Sequence, residues 1–251
     1  MRESWKLEDR QAEDSTALHY DHLYDRTLFA KAMYHDFSEK VKTKIQCGKV
    51  LELGCGTAVI SNILSTYGII ERYCIDFSWK MLQIAKSRCS NCIQADVESL
   101  PISDSTFDLV YVHSVLHHFP SLQDIISEVK RILLPGGYFI IQKPNSHNLQ
   151  KDLFLRICSF LIRKLNTKQY EDLSKLEIKP SDHHAPIRMD RIIKSMEEVG
   201  FQILEKKYKY YSSQILSGYD SIFVHKLGRL FDSYYVNKKN DGYMFLLIGK
   251  K

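Results

Sequence analysis

No run of apolar residues in this chain approaches the ~20 needed to span a bilayer. The opening residues, MRESWKLEDRQAEDST, are polar and mixed in charge, without the apolar core of a secretory leader. Basic residues form no block: a net charge of +5 is spread along 251 residues, which argues against a dedicated nucleic-acid binder, whose Lys and Arg cluster. There is no internal repeat and no low-complexity segment. The six cysteines are Cys47, Cys55, Cys74, Cys89, Cys92 and Cys158, most of them within or beside expected strands and helices. In a chain this long they read as reduced, buried thiols of a cytoplasmic protein. Cys89 and Cys92 form a C-x-x-C, yet no second pair and no suitably spaced histidine accompany it, so no metal site is assigned. Asp182-His183-His184 is read as lining a loop.

A hydrophobic fraction of 44% with 26% charged residues suits one α/β domain with insertions, or one domain with a small cap. The rest of the chain is organised around VLELGCGTA, Val50 to Ala58. An apolar strand, Val50 to Leu53, breaks into Gly54-Cys55-Gly56 and enters a helix-like run, AVISNILSTY. Glycines permit the sharp turn and a close approach of backbone to a ligand, and the helix N-terminus adds unpaired N–H groups. A dinucleotide fingerprint wants glycine at its third position, which here is Val59. Glu52, two residues before the first glycine, suits a cation-bearing ligand better than a pyrophosphate.

The segment E-L-G-C-G-T-A resembles the first motif of class I S-adenosylmethionine (SAM)-dependent methyltransferases, D/E-x-G-x-G-x-G, with Ala58 in place of the third glycine. I-D-F-S-W-K-M-L resembles the second motif. Asp76 lies about twenty residues past the glycine loop, where a doubly wound fold sets an acid against ribose hydroxyls; it also suits a helix N-cap, a task that Ser78 can take instead. A-D-x-x-x-L-P from Ala95 and R-x-L-L-P-G-G from Arg131 extend the match, which is specific from Val50 to Gln142 and general in the flanks.

The resemblance implies SAM as cofactor and S-adenosylhomocysteine as product. It implies that Glu52, Gly54, Cys55 and Gly56 form the cofactor loop. Phe77 and Met81 then supply apolar surface near the adenine, Asp96 accepts from its exocyclic amine, and the Val97 N–H donates to the ring. The backbone at His113 and Ser114 meets the amino group. His117 or His118 is the candidate general base, the alternative being that one of them only shapes the pocket. Tyr20-Asp21 and Tyr24 belong to an N-terminal segment that folds over the site, where Tyr20 touches cofactor or substrate; simple packing on the sheet edge is the alternative.

The expected architecture is a doubly wound, Rossmann-like, mostly parallel seven-stranded sheet. Residues 1–46 form a helical lid and 47–251 the methyltransferase domain, with insertions about 148–187 and 212–240. The apolar run from Leu149 to Leu165, around Phe154, reads as a helix over the pocket, a dimer contact or a membrane-surface helix. Tyr219, Phe223, Phe231, Tyr234 and Tyr235 suit a pocket for a large or apolar substrate, although packing alone explains them. Leu134-Pro135-Gly136-Gly137 is read as a turn without chemistry.

Further absences narrow the activity. The fourth strand ends in V-H-S-V, not in the N/D-P-P-Y/F that marks exocyclic amino methyltransferases of nucleic acids. No Pro-Cys dipeptide occurs, which disfavours pyrimidine C5 methylation. The aspartate that catechol-type O-methyltransferases use for magnesium is missing. What remains is an N-, O- or C-methyltransferase of a small molecule. A catalytically silent SAM-binding protein is the alternative, and an NAD-type Rossmann enzyme is disfavoured by Val59 and Glu52.

Overall fold

The computed structural model of the chain describes residues 2–25, 28–45, 47–119, 121–145, 187–210 and 244–251, with positions 226, 228–230, 232 and 236. The run around Phe154, Asp182-His183-His184 and the five aromatics from Tyr219 to Tyr235 lie outside the described residues.

Seven strands form one sheet: β1 Val50–Leu53, β2 Arg72–Asp76, β3 Asn91–Gln94, β4 Phe107–His113, β5 Leu133–Pro144, β6 Gln202–Lys209 and β7 Met244–Lys250. Their spatial order is β3-β2-β1-β4-β5-β7-β6. The first five strands run parallel, and β7 is antiparallel to both β5 and β6. This is the expected doubly wound α/β sheet. The chain leaves β1 toward β3, then returns to pair β4 with β1 on the other side. That reversal opens a crevice at the carboxyl ends of β1 and β4, where such sheets place ligands.

Strand residues alternate between two cores, as a period of two requires. Leu51, Leu53, Val110, Val112, Phe139 and Ile141 pack with helices α5 (Leu122–Ile132) and α6 (Met189–Val199) on one face. Val50, Leu109, Tyr111, Ile140 and Leu246 pack on the other face with α2 (Leu28–Lys42) and α3 (Val59–Thr66). α5 buries residues 122, 125, 126, 129 and 132, the three- and four-residue spacing of one helix face. Ser78 caps α4 (Trp79–Ala85), its hydroxyl accepting from the Met81 N–H.

The turn expected at 134–137 is instead absorbed into β5. Leu133 stands opposite Phe107, and the next pair is Tyr138 with Leu109, so β5 bulges between them. The looped residues still find partners: the Gly136 N–H donates to the Lys251 carbonyl at 3.0 Å, and Lys251 donates to Gly137 at 3.0 Å. Those bonds keep the loop on the sheet, as buried backbone polar groups require.

Helix α1 (Arg2–Asp25) lies across the carboxyl ends of the strands. Its residues meet the segments after β3, β2 and β1 in turn, through Lys6, Asp14 and Asp21. Among the described residues, no helix is long and apolar enough to cross a membrane.

Candidate active site

The loop after β1 turns through two left-handed glycines, Gly54 at φ 63° and Gly56 at φ 52°. A Cβ on Gly54 would sit 2.5 Å from a Val115 methyl, so close approach as well as backbone conformation demands glycine there. Ala58 is also left-handed, at φ 58° and ψ 38°. The departure from a third glycine therefore carries a conformational cost of ~1–2 kcal/mol.

Asp76, at the end of β2, ties the loop to the next helix. One carboxylate oxygen accepts the Gly56 N–H at 2.7 Å and the other the Ser78 N–H at 2.8 Å. Burial raises its pKa above the ordinary value, and these N–H groups and the nearby His118 oppose the rise. After β3, one oxygen of Asp96 accepts the Glu98 N–H at 3.0 Å, and the other is ion-paired with Lys6. After β4, Ser114 adopts a left-handed conformation at φ 58°, and its N–H donates to the Gln142 carbonyl at 2.8 Å. Such strain in a non-glycine residue is common at binding sites.

These segments surround about 780 Å³ of empty space, a figure that includes the open mouth. Tyr20, Gly54, Gly56, Asp76, Phe77, Asp96, Val97, His113 and His118 all line it, nine of the residues singled out from sequence. Four others do not. Met81 is on the buried side of α4. His117 stacks on His118 with ring centroids 4.3 Å apart. Cys55 faces a smaller cavity behind the loop.

Glu52 also turns to that inner cavity. Its carboxyl accepts from the Tyr111 hydroxyl at 2.8 Å and the Ser61 N–H at 3.2 Å. Burial pushes its pKa up to about 8, outweighing both bonds, so at neutral pH the group is largely an uncharged acid rather than an anion awaiting a cation. Burial likewise holds His113 neutral, its pKa pushed down to about 4. The His113 ring packs against Tyr34 and Phe37, at centroid distances of 4.8 and 5.4 Å.

Helix α1 contributes wall residues that the sequence did not reveal. Lys6 pairs with Asp96 and Glu98, and Arg10 lies 5.6 Å from the centre of the Phe77 ring. Asp14 accepts from the Ser78 hydroxyl. Asp21 accepts from the Thr57 hydroxyl at 2.6 Å and is ion-paired with Arg88. The Tyr20 ring lies over Gly56, 3.5 Å from where a Cβ would stand. Tyr20-Asp21 thus meets the glycine loop, whereas the side chain of Tyr24 lies outside the described residues.

Residues 51–141 match the family model described as a methyltransferase domain. The chain is 26% identical over 206 residues to a demethylmenaquinone methyltransferase of Geobacillus sp. (strain WCH70), covering 75% of this chain and 86% of that protein. It is 36% identical over 91 residues to a malonyl-[acyl-carrier protein] O-methyltransferase of Enterobacter lignolyticus, 36% of each chain. Among solved structures, a SAM-dependent methyltransferase of Thermotoga maritima superposes with a TM-score of 0.59 at 17% identity, over 96% of this chain and 99% of that one.

Proposed function

We propose that this chain, a class I SAM-dependent methyltransferase, transfers the methyl group to a nitrogen, oxygen or carbon nucleophile of a small molecule. The observation that carries this reading is the convergence of the Gly54–Gly56 loop, Asp76 and Asp96 on one cavity at the strand reversal. The residues present fit the cofactor. Each Asp76 oxygen accepts one backbone N–H and keeps capacity for a ribose hydroxyl. Gly54 and Gly56 present backbone rather than side chains to the cavity. Asp96 offers the exocyclic amine an oxygen that it shares with Lys6, and Phe77 offers a ring face.

SAM supplies an already activated methyl carbon, so positioning can account for up to ~7–11 kcal/mol of the barrier. The chain's own residues hold and orient. His118, facing the cavity beside Asp76, is placed to take the proton of an O–H or ammonium nucleophile. Tyr20 and α1 cover the site and exclude water. Within the expected 1–46 lid, α1 accordingly covers the site, whereas α2 packs on the sheet. The similarity to a demethylmenaquinone methyltransferase supports a small-molecule acceptor, and demethylmenaquinone and malonyl-[acyl-carrier protein] are the first two acceptors to screen.

Calorimetric titration with SAM and S-adenosylhomocysteine, with NADH as control, tests the cofactor. Binding of the first two that is weakened about 10–100-fold in Asp76→Ala is the expected result. Binding of NADH alone, or no binding by folded protein, would sink the reading.

A further inference from the structure

Four of the chain's cysteines, scattered in sequence, meet behind the glycine loop. Cys74 on β2 and Cys92 on β3 are directly paired residues of parallel strands. Cys89 stands three residues before Cys92, and the sulfurs of Cys74, Cys89 and Cys92 all lie within 4.8 Å of one another. Cys55, between Gly54 and Gly56, packs in the same buried cluster as these three, and its N–H donates to the Ile75 carbonyl at 2.9 Å. The second pair that the C-x-x-C lacks in sequence is therefore supplied by strand register. We propose that Cys74, Cys89 and Cys92, completed by Cys55, form a thiolate site for one zinc-class divalent cation.

The donor set selects the metal. The three clustered side-chain donors are all sulfur, which favours a thiophilic cation over magnesium or calcium. Zinc–sulfur bonds of ~2.3 Å in a tetrahedron place sulfurs ~3.8 Å apart, so three sulfurs already within 4.8 Å need only small side-chain rotations. Cys55 needs a further turn of its side chain to join them.

Charge and access also fit. Each coordinating thiol releases one proton to solvent, and four thiolates around a divalent ion leave a net charge of −2. The Cys89 thiol donates to the Arg72 carbonyl at 3.3 Å, and the Arg72 guanidinium, whose Nε is buried without a partner, donates to the Arg88 carbonyl at 3.3 Å, one residue before Cys89. A cation with an unused donor thus lies near Cys89. Cys92 is half-buried on β3, at the sheet's edge, so an ion can enter without opening the core. Because Cys55 belongs to the glycine loop, occupancy would stiffen the cofactor site from behind.

The test is titration of the reduced, chelator-treated full chain with Co(II), read by the thiolate-to-cobalt charge-transfer band, followed by displacement with Zn(II). No SAM is present, so the outcome is independent of methyl transfer. We expect saturation near one ion per chain and displacement by zinc. In folded Cys92→Ser, affinity should fall by at least the ~10–100-fold that loss of an outer partner alone costs. Cys74→Ser provides a second variant, and Cys47→Ser, an exposed cysteine outside the cluster, should bind as the parent does. Absence of the band in the folded parent, or equal binding by Cys92→Ser, would overturn the site and leave the four sulfurs as packed thiols.

Discussion

Lys6 and Asp96, ninety residues apart, form an ion pair at the rim of the cavity, and the same ammonium reaches Glu98. The Glu98 N–H occupies the other Asp96 oxygen. An amine arriving to bind Asp96 shares the carboxylate with the Lys6 ammonium, so α1 competes with the adenine for this acid.

Lys6→Met should therefore bind S-adenosylhomocysteine more tightly than the parent. A part-exposed pair is worth ~0.2–1 kcal/mol, which predicts a gain of about 1.4- to fivefold. Salt should weaken the competing pair, so the parent's affinity should rise with ionic strength while the variant's stays flatter. Calorimetry at low and high salt measures both, and weaker binding by Lys6→Met at low salt would defeat the competition.

What was legible in the sequence is what local chemistry dictates. Strand, paired glycines and helix announce the loop from Val50, and an acid after each of the next two strands announces Asp76 and Asp96. Lys6 and Arg10 were not legible, because charges on a polar helix carry no mark of partners ninety residues away. Glu52 was read toward the ligand from its nearness to Gly54. Strand alternation decides otherwise: its neighbours Leu51 and Leu53 pack on one face, and Glu52 points to the other, against Tyr111. The cysteine cluster depends on the register of β2 with β3, which spacing along the chain does not encode.

The two adjacent histidines should separate in kinetics. His118 lines the cavity and His117 packs against it. With an O–H or ammonium acceptor, His118→Ala should lower kcat by about 10²–10⁴-fold, the usual worth of a general base, with little change in S-adenosylhomocysteine affinity. His117→Ala should retain most of the rate. Equal, small losses in both variants would make His118 a wall residue.

Glu52 gives the fold a pH dependence with a defined sign. Its folded pKa of about 8 exceeds the ordinary 4.5, so between those values the native state keeps a proton that the unfolded chain has released. Stability from this group is thus lost as pH rises from about 4.5 to 8. Glu52→Gln keeps acceptors for Tyr111 and Ser61 but removes the titration. His113, held neutral down to about pH 4, works in the opposite direction, yet it is common to both proteins and cancels in their difference. Urea denaturation at pH 5 and pH 8 should show the parent losing at least ~1.4 kcal/mol relative to the variant, one pKa unit's worth. Parallel stability curves would mean that Glu52 titrates normally.

Gly54 and Val115 should behave as a coupled pair. A Cβ at Gly54 would lie 2.5 and 2.6 Å from the two Val115 methyls, and the backbone there is left-handed. Gly54→Ala should therefore lower both the melting temperature and cofactor affinity. Val115→Ala removes the methyls that the new Cβ would strike, so the double variant should regain part of both. It should not regain all, because alanine at a positive φ still costs ~1–2 kcal/mol, a cost that Ala58 already carries in the same loop. A thermal and calorimetric cycle over the four proteins isolates the coupling, expected at about 0.5–3 kcal/mol for residues in contact. Strict additivity would show that the glycine is needed for its backbone alone, and a Gly54→Ala protein that bound S-adenosylhomocysteine as the parent does would remove the close approach from the account.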